Sequence, residues 1–523
     1  MATPLVSPAP VPDERFETIP NMVRRRAAER PDLPALHDGD RVVSWGALGH
    51  WMERIAARLR VEGLATGDTV ASVADTMAEH VAVYLGTLAA GGCMAPLPGS
   101  AGADALHRMI ADSGARFLFA SERLRYAVDA IRDQLPAGRF IGLDFAADGW
   151  PSLDAWLGDA AEDAAPVSVG PDDLFDIIYS SGTTGTPKGI VHDHCFRSRQ
   201  VARMANYELN ADAVNLASTP LYSNTTLVSV LPTLALGGTL VLMRKFDARG
   251  FLELAERYRV THAMLVPVQY QRILAVDDFD RFDLSAFRVK LCTSAPLRAA
   301  VTREVLDRWP GRLFNVYGMT EGGVSTVLDA AAFPDKLDSV GRPAAGADVR
   351  IIDEQGRALP HGEVGEIVGR STIMMCGYHN AEAPTRDVLW QAPDGAVFIR
   401  TGDLGRFDKD GFLHLLDRRK DMIISGGFNV YASDLEQVLL GHPDVVDAAV
   451  IAVPSDAWGE TPLGLVVPRP DRTLDEAEVL AWVNARLGRM QRLSAVEVRE
   501  SLPRSAIGKV LKRELRAPYW NGR

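Results

Sequence analysis

The sequence predicts an α/β protein, with a large N-terminal domain of stacked, largely parallel sheets and a small C-terminal α/β domain. Three observations lead there. Strand-like and helical patterns alternate repeatedly over residues 15–150, as happens when helices are layered on parallel sheets. A chain of 523 residues is too long for one hydrophobic core, so about two to four structural units are expected. The last ~100 residues carry strands and helices of their own and have the size of a separate domain.

Taken in order, Asn21–Arg30 has the apolar spacing of a helix, and Pro31 ends it. Leu33–His37 and Arg41–Trp45 read as two strands around the turn Asp38-Gly39-Asp40. Trp45–Leu59 reads as a long helix, Thr69–Val73 as a buried strand, and His80–Ala90 as a helix closed by Gly91-Gly92. Leu174–Tyr179 is a short apolar strand, and a helix is expected from about His194 to Tyr207. Val260–Pro267 is a strand entering a helix; His262 within it sits in an apolar setting and reads as structural. Near the end, Glu436–Leu440 and Asp475–Leu487 are expected helices, and Val445–Val453 and Leu463–Val467 expected strands.

The bulk composition narrows the function. With 47% hydrophobic and 24% charged residues the chain has an ordinary globular balance. A net charge of -12 leaves no basic surplus for a nucleic-acid partner, although one nucleotide needs only a local site. Cys93, Cys195, Cys292 and Cys376 are scattered, with neither C-x-x-C nor His pairing, and fit reduced thiols better than disulfides or a zinc site. Residues 1–14 read as a proline-rich arm without a basic or apolar leader. The apolar runs Val81–Met94 and Leu227–Met243 are short or interrupted, so core elements rather than transmembrane spans are expected. The expected compartment is cytoplasmic.

The chemistry starts at Tyr179-Ser180-Ser181-Gly182-Thr183-Thr184-Gly185-Thr186-Pro187-Lys188-Gly189-Ile190. A strand feeding a Gly/Thr/Ser loop ahead of a helix gathers backbone N–H groups around a phosphate, and here hydroxyls and Lys188 complete an anion cradle. It is not the G-x-x-x-x-G-K-[ST] loop: Lys188 follows Pro187, and Gly189 stands where Ser or Thr would be. The stretch resembles the signature loop of the adenylate-forming superfamily, which comprises acyl-CoA synthetases, peptide-synthetase adenylation domains and luciferases. Further stretches follow in that family's order.

Asn315-Val316-Tyr317-Gly318-Met319-Thr320-Glu321-Gly322-Gly323 resembles the family's adenine and metal motif. It implies a ring for adenine (Tyr317), a hydroxyl for phosphate (Thr320) and a carboxylate for Mg²⁺ (Glu321), an ion content with one carboxylate plus phosphate oxygens. Lys290–Leu297 is similar to the family's Gly-Gly-Ala-Pro turn beside adenine, with Thr293 and Ser294 in place of the glycines, so a reshaped space is expected. Arg400-Thr401-Gly402-Asp403-Leu404 resembles the ribose motif; read without the family, Asp403 would be a turn former. Arg418 is implied at ribose or phosphate and Lys420 at a hinge, although Arg418-Arg419-Lys420 also reads as a solvated charge run. The resemblance implies Gly426 and Gly427 beside a pantetheine channel, and Lys509 as the catalytic lysine of Pro503-Arg504-Ser505-Ala506-Ile507-Gly508-Lys509. Ser339–Pro343, Gly362–Ile367 and Met375–Tyr378 are expected to be scaffold in a small β-rich subdomain.

The resemblance implies boundaries of 15–416 for the large AMP-binding domain, 417–421 for the hinge and 422–523 for a small mobile domain. It implies catalytic roles for Thr184, Lys188, Glu321 and Lys509. Nucleotide contacts are implied from Ser181, Gly182, Thr183, Thr184, Gly185, Lys188, Ser294, Ala295, Pro296, Asn315, Tyr317, Gly318, Thr320, Asp403 and Arg418. The acyl pocket is implied to involve Tyr222, Ser223, Asn224, Thr225, Thr293, Gly318, Met319 and Gly323. Ser223 stands where the family usually has His, which implies a smaller, more polar wall. No aspartate lies near Asn224–Thr225 to hold an amino-acid ammonium, and no obvious Arg or Lys lies near Ser223 to pair a second carboxylate. A monocarboxylic aromatic, alicyclic or medium aliphatic acid is therefore expected. The implied reaction makes an acyl-adenylate from ATP and the acid, then a thioester with coenzyme A. The rival acceptor is a carrier-protein phosphopantetheine, and a nucleotide-binding pseudoenzyme is the rival from another class. A monomer or homodimer is expected.

Overall fold

The computed structural model describes residues 16–135, 138–158, 167–180, 187–419, 421–425, 428–455, 458–488, 491–505 and 508–520. The expectations for the N-terminal arm, for Ser181, Gly182, Thr183, Thr184 and Gly185, for Lys420 and for Gly426 and Gly427 lie outside the described residues.

The first helix, Ile19–Glu29, starts where Thr18 Oγ1 accepts the Asn21 amide at 3.3 Å, with Pro20 in its first turn. Trp45–Val61 is capped in the same way by Ser44. These two helices, with Ala78–Ala89 and Asn224–Leu236, bury Val23, Met52, Ile55, Leu85, Leu227 and Leu231 in one core. The crossing is close enough to demand a glycine: a Cβ on Gly86 would lie 2.5 Å from Ile55 Cγ2.

Two large sheets carry the first compact unit, which runs to Asp348 and takes in Gly369–Ile399. One is seven-stranded, ordered Gly377–Tyr378, Lys188–Asp193, Leu174–Ser180, Cys93–Pro96, Thr69–Val73, Phe117–Ala120, Arg139–Gly142. Thr69–Val73 is buried at every position, as a parallel strand covered on both faces must be. The other is nine-stranded, ordered Arg342–Pro343, Ser325–Asp329, Arg312–Gly318, Val289–Cys292, His262–Leu265, Val214–Ala217, Thr239–Leu242, Pro34–Asp38, Arg41–Ser44. Its interior pairings are parallel and its edges antiparallel. Gly377–Tyr378 and Arg342–Pro343 are therefore edge strands of these large sheets, which corrects the expectation that Met375–Tyr378 and Ser339–Pro343 build a separate β-rich subdomain.

The second compact unit comprises Val349–Val368 and Arg400–Arg523. Asp403 and Arg418 both fall in this second unit. There Val445–Ser455 and Gly459–Pro468 form a long antiparallel pair, with Ala495–Val498 parallel to the latter. Leu435, Leu439, Val450, Val466, Val479 and Val483 form its core, drawn from the helices Ala432–Leu440 and Glu476–Asn484 and this sheet. Lys512 anchors the last helix, Lys512–Trp520, through Glu436 at 2.8 Å.

His262 is structural as expected, bonded to Thr261 Oγ1 and to the Tyr207 carbonyl. His80 is buried between Ser72 Oγ (2.8 Å) and the Asp75 carbonyl (3.0 Å), and burial pushes its imidazole down to about 4. An unfolded histidine protonates near 6.5. Between these values the unfolded chain binds more protons, so stability is present above pH 6.5 and is lost as pH falls toward 4. His194, also pushed down to about 4 by burial, acts with the same sign. One such group costs about 2 kcal/mol by pH 5. His80→Gln is expected to flatten the pH 7-to-5 loss by about that amount, read from urea unfolding at the two pH values.

Candidate active site

The signature loop joins two strands of a hairpin. Leu174–Ser180 pairs antiparallel with Lys188–Asp193, with Ser180 opposite Lys188, and the helix His194–Ala205 starts only afterwards, capped by Asp193 Oδ1 on the Phe196 amide at 2.6 Å. This corrects the strand–loop–helix reading. The run Lys188–Asp193 is taken up by pairing on both sides, since Gly377–Tyr378 lies along its other edge. Lys188 opens the returning strand, and its Nζ lies 4.8 Å from the centre of the Tyr378 ring.

The strand Arg312–Gly318 delivers the second motif. Tyr317 is half-buried, Gly318 is exposed and Asn315 is buried. The chain then turns through Gly322 and Gly323 at φ +72° and +75°. A Cβ would meet the Ile373 carbonyl at 2.3 Å or the Gly369 carbonyl at 2.6 Å, so only glycine fits either place. Gly323 is thereby explained by backbone packing, and Met319 packs against the Ile190, Met374 and Tyr378 cluster. The Glu321 backbone is pinned by the Met375 amide on its carbonyl at 2.8 Å. Its side chain accepts the Tyr378 hydroxyl on Oε1 at 2.9 Å. Burial, and then the Glu321 carboxylate, raise the Tyr378 phenol far above its ordinary range, so it remains a donor. Lys188, Tyr378 and Glu321 thus form one row of cation, ring and carboxylate. Tyr378, read from the sequence as scaffold, is the middle of that row.

A second cluster went unnoticed in the sequence. Asp176, fully buried in Leu174–Ser180, accepts Tyr84 Oη at 2.8 Å, His192 Nδ1 at 2.6 Å, and Arg197 Nε and Nη2 at 3.0 and 2.6 Å. Burial alone would raise its carboxyl, but Arg197 and His192 outweigh that and hold it below the usual range. His192 Nε2 donates to the Thr320 carbonyl at 2.8 Å. Arg197 Nη1 donates to Gln200 Oε1 and Asn224 Oδ1, both at 2.8 Å. Removing Asp176 outright would strand buried charge, at a cost of roughly 3–5 kcal/mol. The signal in the sequence was a carboxylate inside an apolar strand, which needs a partner.

The residues expected to line the acyl pocket gather at the start of the helix Asn224–Leu236. Ser223 occupies its N-cap and is buried, and Tyr222 and Asn224 are half-buried. Thr225 Oγ1 meets Ser294 Oγ at 2.7 Å. Ser294 has φ +78°, a backbone conformation that suits the glycine it replaces, and it is held there by this bond. Thr293 and Ala295 are half-buried and Pro296 is exposed. Arg197 reaches the neighbouring Asn224 from a helix 27 residues earlier, but its guanidinium is already paired with Asp176.

In the second unit, Asp403 and Arg418 face each other across the hairpin of Val397–Phe407 and Leu413–Arg418, with Nε 3.1 Å from Oδ1. Lys509 is exposed. Its amide bonds Ser505 Oγ and its carbonyl accepts the Ser505 amide, while Arg504 ties Gly508 O to Asp447 Oδ2. No helix among the described residues is long and apolar enough to cross a membrane, and no group of three or more metal-ligating side chains occurs among them.

Comparison with known proteins agrees with this anatomy. The model of the AMP-binding enzyme family matches residues 23–379, and that of the AMP-binding enzyme C-terminal domain matches residues 434–509. A feruloyl-CoA synthase from Amycolatopsis sp is 36% identical over 95% of this chain and 98% of that protein. An indoleacetate–CoA ligase from Aromatoleum aromaticum is 32% identical over 94% of this chain and 96% of that protein. The crystal structure of ATP-bound MatB from Rhodopseudomonas palustris superposes with a TM-score of 0.86 at 31% identity, covering 97% of this chain and 99% of that one. The chain belongs to the AMP-binding, adenylate-forming enzyme family and is an acid–thiol ligase of the AMP-forming acyl-CoA synthetase kind.

Proposed function

We propose that this enzyme activates an aryl-substituted monocarboxylic acid with ATP and passes the acyl group to coenzyme A. The observation that carries the reading is the row Lys188–Tyr378–Glu321 on a chain similar over nearly its whole length to ligases named for ferulate and indoleacetate. A neutral, polar acid pocket supports it: Ser223, Asn224, Thr225 and Ser294 bring no net charge, and Asp176 balances Arg197.

In the first half-reaction the acid, already ionised at neutral pH, attacks the α-phosphorus of ATP and pyrophosphate leaves. Lys188 neutralises the departing phosphates, and Lys509 the charge growing at the α-phosphoryl and carboxylate oxygens. Asp403 takes the ribose hydroxyls, with Arg418 holding its carboxylate in place. Glu321 fits a magnesium ion, because Tyr378 engages one of its oxygens and leaves the other as a hard anionic ligand. Bound there, magnesium would supply charge neutralisation on the phosphates. In the second half-reaction the pantetheine thiol displaces AMP. Lys420 is the proposed hinge for the change of unit orientation that withdraws Lys509, and Gly426-Gly427 the passage for pantetheine.

Tyr378→Phe keeps the ring near Lys188 and loses the bond to Glu321. The KM for MgATP should rise about tenfold or more, as expected for one hydrogen bond to a charged group, with the KM for the acid unchanged. The reading as a whole is tested by pyrophosphate release with ferulate, indoleacetate, cyclohexanecarboxylate, octanoate and malonate, followed by thioester formation with coenzyme A or a phosphopantetheinylated carrier protein. Aryl monocarboxylates and coenzyme A should give the highest kcat/KM. Preference for malonate, or for the carrier, overturns the corresponding half of the proposal.

A further inference from the structure

The cluster around Asp176 has an arrangement that fold stability alone does not require. One carboxylate gathers a histidine and an arginine, and the far end of each lands on a different residue outside the cluster. His192 reaches the carbonyl of Thr320, the residue before Glu321. Arg197 reaches the amide of Asn224, in the first turn of the helix that carries Thr225. His192 Nδ1 lies 2.6 Å from Asp176 Oδ1 and 3.2 Å from Arg197 Nη2, and Nε2 lies 2.8 Å from the Thr320 carbonyl oxygen, so the ring is held at both ends. Phe196 stacks on it at 4.0 Å and fixes its plane. Arg197 has only donors, so the atom of Asn224 facing it must be Oδ1. That leaves the Asn224 N–H₂ as the end of the amide not engaged by Arg197, and therefore able to offer donors.

We infer that Asp176 is a positioning residue shared by the two halves of the site. Through His192 it sets the Thr320–Glu321 turn for the nucleotide and its metal. Through Arg197 it orients Asn224 as a hydrogen-bond donor toward the acid. Tyr84, bonded to the same carboxylate from the helix Ala78–Ala89, completes the support. The inference rests on the reading given above, in which Glu321 serves MgATP and Asn224 the acid. It adds that one buried group governs both affinities through separate arms.

The separateness of the arms is what an experiment can read. Pyrophosphate release is measured with the panel acid of highest kcat/KM, varying that acid and MgATP in turn, with thermal melting to verify folding. Arg197→Lys keeps a charge for Asp176, but one ammonium cannot span both Asp176 and Asn224. The KM for the acid should rise about tenfold while that for MgATP stays within about twofold. His192→Leu should do the reverse, and His192→Gln, whose amide N–H can reach the Thr320 carbonyl, should recover most of the loss. Asp176→Asn should raise both. Asn224→Ala should mimic Arg197→Lys, and the double variant should be no worse than either single one. Parallel movement of both KM values in Arg197→Lys or His192→Leu, His192→Gln no better than His192→Leu, or additivity of the Arg197 and Asn224 changes overturns the inference. Should Arg197→Lys fail to fold, Asn224→Ala and the His192 pair still decide it. A wild-type enzyme that releases no pyrophosphate with any panel acid defeats the underlying reading instead.

Discussion

Lys509→Ala is expected to slow acyl-adenylate formation at least about a hundredfold, the usual effect of removing one preorganised charge from a site where charge develops. It should leave thioester formation from supplied acyl-adenylate at the wild-type rate. The two half-reactions differ in what they ask of this ammonium: the first builds negative charge on the α-phosphoryl and carboxylate oxygens, and the second collapses it. Lys509 is exposed, and its loop is held by Ser505 and by Arg504 bridging Gly508 O and Asp447, none of which needs the lysine side chain. Lys512, three residues on, is its opposite: it is half-buried and paired with Glu436 at 2.8 Å, so Lys512→Ala should lower stability instead. The measurements are pyrophosphate release from ATP and acid, and thioester formation from synthetic acyl-adenylate and coenzyme A. Normal pyrophosphate release by Lys509→Ala removes Lys509 from the mechanism.

What could be read from the sequence divides by range. Tyr317-Gly318-Met319-Thr320-Glu321 and the strand-end turn at Thr293–Ser294 were legible as places where a strand runs into a turn, because a few consecutive residues carry the bend. The central strand Thr69–Val73 was legible because its burial is written into its own composition. The Asp403–Arg418 pairing was not. Phe407 faces Leu413, and a regular hairpin counted back from there would set Asp403 against Asp417; a bulge after Leu404 shifts the register by one and brings Arg418 opposite instead. No residue pattern announces that bulge. The Asp176 cluster was hidden by distance in the chain: Tyr84 lies 92 residues before Asp176, and Thr320 lies 128 residues after His192. Tyr378 was hidden for another reason. It sits on a strand of two residues, too short for any periodicity, whose place is decided by the edge of Lys188–Asp193 that it covers.

That edge strand is also why Glu321 can be tested without wrecking the fold. Glu321→Gln preserves volume and still offers a carbonyl oxygen to the Tyr378 hydroxyl, and the backbone bond from Met375 to Glu321 O is indifferent to the side chain. Only the charge is lost. Adenylation should fall about 10²–10³-fold. Unlike the Lys509→Ala defect, part of it should be recovered by raising magnesium, since a weakened ligand is answered by mass action whereas a missing ammonium is not. A binding measurement separates the two without turnover: Glu321→Gln should weaken MgATP but leave metal-free ATP unchanged. Tyr378→Phe should add little in the Glu321→Gln background, because the tyrosine acts through the carboxylate charge that is already gone. Full additivity of the two changes would mean that Tyr378 serves the site by another route, through the Lys188 ammonium that lies over its ring.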